Sequence, residues 1–510
     1  MAIQPWTFTS KFLVSLSRNF LIGIFNSTWV AFISLLAIPF YLKHLGIEAY
    51  GLIGFFTSFQ VAISVLDLGF TPTINREFSR GLASGNMVEA KKLLHTLGTI
   101  YLLMGIAIAI VVFLFSPFLA IHWINAKQVD TDTLSHFIIL MGLVIGCRWP
   151  IGLYLGALIG LNRIDVSSAV NIFMVTLANV GAILVMGFVS PTIEAFFIWQ
   201  VLVGAVYLFV IKYITWSIVG RLDNARFNIS TLKNVWRFSI GMSGVSFFAV
   251  MLMQADKILL SGILSLADYG VYSLAGVVAG GLSLIINPLF NVIYPKMSAL
   301  VALGDADNLL KLYRNGTRIF SSFLFPVVLI AIFYSKDLLY LWTRNLSLAT
   351  SASPIVSMLL LGSSLNGVMI FPYALQLSYG STRIPFVIVI SLLFVYVPMI
   401  FLLVHFYGVL GGASGWFVLN LIYLFFGTWM THKTIMKGHG LNWIIFDVGF
   451  PLLVSLSIIC PISYFLYVDG SYYINLFESF ILLLIAVAVN LILLPKYNLQ
   501  KINIFKVLGH

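Results

Sequence analysis

Charge is scarce: Asp, Glu, Lys and Arg together make up 9% of the 510 residues, whereas 60% are hydrophobic. Soluble domains carry about 25% charged residues, so this balance excludes a soluble globular chain and makes lipid part of the solvent. Cysteine is nearly missing. Cys147 and Cys460 each sit in an apolar stretch, which excludes a disulfide framework and a cysteine metal site. No Gly-x-x-x-x-Gly-Lys phosphate loop occurs, so ATP hydrolysis by that route is not expected. Long polar segments are absent too. The longest outer ones, His122 to Thr133 and Lys336 to Ser353, are too short to carry the catalytic groups of a membrane glycan polymerase or ligase. The expectation is a non-enzyme without a cofactor.

What is present is a succession of charge-free runs, each near the roughly 20 residues a helix needs to cross the hydrocarbon. Barrel-strand alternation is not seen, so these runs read as helices with their backbone bonds satisfied internally. Spans fall near 19–42, 52–72, 96–121, 135–160, 167–189 and 195–216. After a basic loop come 236–263, 267–293, 317–342, 353–378, 385–406 and 413–432, then 446–468 and 475–495. The first run lacks a small-residue cleavage site and reads as a retained helix. With the N-terminus cytoplasmic, 22 of the 28 Lys and Arg fall on cytoplasmic segments, among them Arg76, Arg80, Lys91, Lys92, Arg221, Arg226, Lys233, Arg314 and Lys501. Five fall outside and Arg148 is left within a span. This asymmetry supports an even number of spans, as the fourteen runs give, and two cytoplasmic termini. Topology therefore accounts for the net charge of +11, and nucleic acid is not an expected partner.

The chain also repeats itself at a spacing of about 219 residues. Ala49-Tyr50-Gly51-Leu52 returns as Asp268-Tyr269-Gly270-Val271, and the segment from Ser79 to Leu94 returns from Ser298 to Tyr313 with Gly85 opposite Gly304. Gly160-Leu161-Asn162-Arg163-Ile164 answers Gly380-Ser381-Thr382-Arg383-Ile384. Each copy holds six helices, an even number, so both enter the membrane in the same direction. Expected domains are an N-terminal lobe (1–225), a C-terminal lobe (226–435) and an appended helix pair with a tail (436–510). Transporters with parallel repeats place substrate between the halves and expose it to each side in turn.

Leu45-Gly46-Ile47-Glu48-Ala49-Tyr50-Gly51, Asp67-Leu68-Gly69-Phe70 with Arg76, and Gly160-Leu161-Asn162-Arg163 follow one another through the first half. Asp256-Lys257-Ile258-Leu259, Tyr269-Gly270-Val271-Tyr272, Leu341-Trp342 and Tyr407-Gly408-Val409-Leu410-Gly411-Gly412-Ala413 mark the second. In this order the chain resembles the polysaccharide flippases of the multidrug, oligosaccharidyl-lipid and polysaccharide exporter superfamily, over residues 15 to 495. The resemblance implies an all-α membrane protein with two lobes around a cationic cavity in a bacterial cytoplasmic membrane. It implies as substrate an undecaprenyl-diphosphate-linked oligosaccharide, such as an O-antigen repeat unit, carried to the periplasmic leaflet. Coupling to H+ or Na+ is implied as well, with polysaccharide polymerase machinery as a further partner beside membrane lipids.

Arg148 is the first candidate site residue, because a charge at the bilayer centre costs roughly 2.5 to 3.5 kcal/mol and needs a partner or water. A guanidinium suits a diphosphate, through paired hydrogen bonds to its oxygens; a structural ion pair is the alternative. Trp149 beside it, and Tyr373, suit the faces of sugar rings. Asn26, Asn287 and Asn366 offer amides to sugar hydroxyls, but buried amides also hold membrane helices together at about 0.6 kcal/mol each. The resemblance makes Asp256 the candidate cation-coupling carboxylate; a simple pair with Lys257, whose amine snorkels outward, competes with it. Asp67 reads as a polar helix end near Arg76 and Arg80. The rival function is a cation-coupled multidrug exporter of the same superfamily, which would favour buried carboxylates over an intramembrane arginine.

Overall fold

The computed structural model describes residues 10–67, 69–126, 129–220, 247–468 and 471–493. Arg221, Arg226, Lys233, the expected lobe boundary at 225/226, Leu68 and Lys501 lie outside the described residues. No strand occurs among those described. The first helices are α1 (Ser10–Ser64), α2 (Phe70–Ser84), α3 (Val88–Phe118, prolonged by a π-helical turn Leu119–Trp123), α4 (Thr131–Arg148), α5 (Ile151–Gly160), α6 (Ile164–Phe188) and α7 (Ile193–Val219). Next come α8 over 247–263, α9 (Leu266–Gly280), α10 (Ser283–Leu303), α11 (Ala306–Phe333), α12 (Ser335–Thr343), α13 (Leu346–Val368), α14 (Ile370–Ser378) and α15 (Arg383–Thr434). The chain closes with α16 (Gly440–Asn442), a π-helical stretch Trp443–Gly449, α17 (Phe450–Leu466) and α18 (Tyr472–Leu493).

Eleven segments of the described residues are long and apolar enough to cross a membrane. Two of them, α1 and α15, are each a pair of helices joined at one glycine, Gly46 (φ 79°) and Gly408 (φ 54°). Positive φ is open to glycine at no steric cost, so the chain turns there without a loop. Counting α1 and α15 as two each gives thirteen, and α8, shorter over its described residues, lies where the sequence expects the seventh of fourteen passes in an all-α membrane protein. Helix starts are held by short polar side chains. Asp130, Thr192, Asp305 and Asn345 accept from the backbone N–H three residues on, at 3.0, 3.3, 3.1 and 3.0 Å, which satisfies donors that the first turn leaves open. The same backbone bonds hold the exposed carboxyls of Asp130 and Asp305 below the usual range.

The duplication is visible in the backbone. Gly85 and Gly304 both end their helices in the left-handed conformation (φ 70° and 71°), and α5 and α14 start at Ile151 and Ile370 after matching breaks in the fourth and tenth passes. Both spacings are 219. At the following turn the sequence pairing is displaced: the left-handed residue is Asn162 in one copy and Gly380 in the other, not Gly160 and Gly380. The turn geometry shows why. Arg163 N–H bonds Leu158 O, and Ser381 N–H bonds Gln376 O, the same six-residue closure in both copies.

The chain divides into two compact units, Met1–Leu274 with Ile400–Val409, and Ala275–Met399 with Leu410–His510. The first is centred on Phe78 of α2, Leu94 and Leu97 of α3, Leu153 and Leu158 of α5, and Ile211 of α7, all buried. Within it α1 crosses α9 at a pair of glycines. A Cβ on Gly51 would lie 2.1 Å from Leu266 O, and a Cβ on Gly270 would lie 2.3 Å from Ile47 O. The contact is its own mirror in the repeat, since 47 answers 266 and 51 answers 270. In the second unit the last two passes join α11 through Leu329, Ile330, Ile459, Leu482 and Ala486. Asp337 of α12 pins them by accepting from Asn475 Nδ2 at 2.7 Å and Tyr467 Oη at 3.1 Å.

Candidate functional site

In the first unit the fourth pass, Thr131–Gly160, is broken after Arg148. Pro150 has no N–H to give the preceding turn, and Trp149 and Pro150 separate α4 from α5. Arg148 is the last residue of α4 and lies past the middle of the span. Its guanidinium donates to Gln200 Oε1 on α7, and Gln200 Nε2 donates to Ala178 O on α6 at 3.2 Å. No carboxylate forms an ion pair with Arg148 among the described residues. Tyr41 and Tyr207 stand within electrostatic reach of it. The arrangement is a half-buried cation, oriented by a neutral amide, with donors left for an anion.

Trp149 lies 6.2 Å from the Tyr101 ring, and its Nε1 is buried without a partner among the described residues. Tyr101 Oη in turn donates to Asp67, which also accepts from Thr71 Oγ1 at 2.7 Å and Thr71 N at 3.2 Å. Arg76 and Arg80 reach Glu77, at 3.6 and 3.3 Å. Asn26 accepts from Asn171 Nδ2 at 2.9 Å, and Asn171 Oδ1 accepts from Tyr207 Oη at 3.0 Å. The structure thus joins Asn26 to the surroundings of Arg148 through Tyr207, as part of a polar seam between α1 and α6. Trp29 with Thr176 (2.9 Å) and Tyr41 with Asn179 (3.1 Å) continue that seam. Asp256 stands apart on α8. It is 2% exposed, accepts from Tyr272 Oη at 2.5 Å, and pairs with Lys257 Nζ at 3.3 Å.

In the second unit Asn366 of α13 donates to Asn420 Oδ1 on α15 at 2.8 Å, a link between helices. Asn287 is exposed on α10. Tyr373 of α14 stacks on Phe290 of α10, with ring centroids 5.6 Å apart and planes at 23°. Asn287 and Tyr373 therefore belong to one neighbourhood through Phe290, whereas Asn366 is engaged by Asn420.

Two features escaped the sequence. Gln200 was available as a lone amide in an apolar run. The other is an ionic cluster in the second unit. Asp447, in the π-helical stretch, is fully buried and takes Arg314 through two bonds (2.8 and 3.3 Å) and Arg318 through a third. Trp443, one turn earlier, donates to Thr317 Oγ1 at 3.0 Å and stacks on Tyr313 at 5.7 Å. Buried carboxylates near the spans therefore include Asp447 and Asp337 besides Asp256, whereas Asp67 is only half-buried. Among the described residues no three His, Cys, Asp or Glu side chains converge as a metal site would require.

Residues 16–301, more than half the chain, match the family described as "Polysaccharide biosynthesis protein". A relative named "Putative O-antigen transporter" from Shigella flexneri is 21% identical over 399 residues, covering 77% of this chain and 93% of that protein. Among solved structures, the lipid II flippase MurJ in an inward closed conformation superposes with a TM-score of 0.67 at 15% identity, covering 92% of this chain and 98% of its own. An inward-facing MATE-family multidrug resistance transporter gives 0.63 at 15% identity, with 80% and 96% covered. At such identity these likenesses establish the fold.

Proposed function

This chain belongs to the polysaccharide biosynthesis protein family, and from that premise we propose that it is a flippase for a lipid-linked oligosaccharide. The substrate is an undecaprenyl-diphosphate-linked repeat unit, O-antigen or a related glycan, passed from the cytoplasmic to the periplasmic leaflet of a bacterial inner membrane by alternating access. Both termini are cytoplasmic in this reading, and the protein is a transporter that hands its cargo to a polysaccharide polymerase. The observation that carries it is Arg148, a cation at a helix break inside a span, held by the Gln200 amide rather than by an acid. A drug site for organic cations has no use for such a group; a diphosphate does.

The decisive experiment is mass spectrometry of undecaprenyl-diphosphate lipids after depletion of the protein in its host, with periplasmic accessibility scored by a glycan-modifying enzyme in spheroplasts. Accumulated, inaccessible lipid-linked oligosaccharide is expected. An unchanged lipid pool with normal surface glycan would replace this reading by drug export.

Coupling is assigned in the same proposal to Asp256. A potential of 100 mV offers about 2.3 kcal/mol per charge moved, enough to bias a cycle if this carboxylate takes up a proton or cation in place of Lys257. In proteoliposomes, Asp256→Asn is expected to transport at a rate that no longer responds to an imposed ion gradient. A wild-type response from that variant would leave Asp256 as a structural partner of Tyr272.

A further inference from the structure

Between Asp268 and Lys296 the sequence carries no charge, yet α10 presents Asn287 and Asn291 on its exposed surface, neither with a hydrogen-bond partner among the described residues. An unpaired amide facing hydrocarbon is costly, so this face meets water or a polar ligand. The positions 287, 290, 291 and 294 follow helical spacing and share one side of α10. Phe290 and Tyr294 lie there with ring centroids 5.6 Å apart and planes within 3°, and Tyr373 of α14 extends the stack from Phe290 at 5.6 Å. All three rings are half-buried. Pro295, which has no N–H, also gives the carbonyl of Asn291 no helical donor, leaving an acceptor beside that amide.

Stacked rings flanked by amides and a spare carbonyl have a definite chemical complement. Ring faces are electron-rich and accept the C–H bonds of a pyranose, whereas amides and carbonyls answer hydroxyls from both sides of the donor–acceptor inventory. We propose that the α10–α14 face formed by Asn287, Phe290, Asn291, Tyr294 and Tyr373 is a sugar-binding subsite, and that it discriminates glycosylated from bare carrier lipid. It rests on the flippase reading for the ligand's origin and deepens it: no cation lies among these five residues, so the subsite takes the glycan and leaves the diphosphate to another group.

The test compares binding of undecaprenyl diphosphate carrying the host's own repeat unit with binding of bare undecaprenyl diphosphate, using purified protein in nanodiscs. Wild type is expected to prefer the glycosylated lipid. Tyr373→Leu and Asn291→Leu are each expected to reduce that preference roughly tenfold, through lost affinity for the glycosylated lipid with the bare lipid unaffected, whereas Tyr373→Phe keeps it. Unchanged binding of bare lipid also certifies that a variant is folded, and Asn291→Leu perturbs no packed ring. If wild type discriminates and both leucine variants discriminate equally well, the subsite is overturned and the flippase reading stands. Equal binding of both lipids by wild type overturns the subsite and the glycan assignment together.

Discussion

Arg148→Ala is expected to lower glycan-lipid flipping roughly 10- to 150-fold, the equivalent of about 1.5 to 3 kcal/mol for a hydrogen bond to a charged group. Arg148→Lys should retain part of the activity, since the charge persists while the paired donor geometry is lost. The chain keeps a cation past the middle of a span and gives it a neutral amide as its bonded partner, an arrangement that stability alone does not favour. Loss of the guanidinium should leave the fold intact, because Gln200 keeps its bond to Ala178 O across to α6. Initial rates in proteoliposomes loaded with the native lipid-linked oligosaccharide are the measurement. Wild-type rates from the alanine variant would remove Arg148 from the substrate path.

Asp447→Ala should act on stability instead, by about 3 to 5 kcal/mol, the range for breaking a buried ion pair from one side. The carboxylate is fully buried and receives three bonds from two guanidiniums, of which Arg318 is 5% exposed and Arg314 19%. Without it, two cations on consecutive turns of α11 face each other in a medium that screens them poorly. Asp447→Asn preserves shape and is expected to lose most of the same stability, which separates charge from packing. Replacing Arg314, Arg318 and Asp447 together by apolar residues of similar volume should recover much of it. Denaturation in detergent, followed by tryptophan fluorescence, measures each step; an Asp447→Asn protein as stable as wild type would show the cluster to be energetically idle.

The difference between these two sites explains what a sequence shows and hides. The passes were legible because hydrocarbon demands an uninterrupted apolar run, and the repeat because its turns reuse the same residues at the same spacing. Arg148 stood out because nothing charged surrounds it along the chain. Asp447 lies at the edge of its run, where a charge reads as interfacial, and Arg314 and Arg318 lie at the start of theirs. Their burial depends on α11 meeting the stretch before α17, which pairs residues about 130 positions apart. The same holds for Asn26, whose Asn171 partner no local pattern announces. The Asn291 face was half visible: Asn287 and Tyr373 could be read, but the stacking of Phe290 on Tyr373 needs two helices brought together.

The glycine crossing at Gly51 and Gly270 carries a consequence for ancestry. Each glycine meets the carbonyl of the residue four positions before the other, so the two surfaces are one surface used twice. That is the geometry of a symmetric dimer, in which a patch is complementary to itself. A six-pass forebear, about as long as one 219-residue repeat, would already have held the means to pair with its own copy. Gene fusion would then have required only a tether, with the docking face inherited from the homodimer.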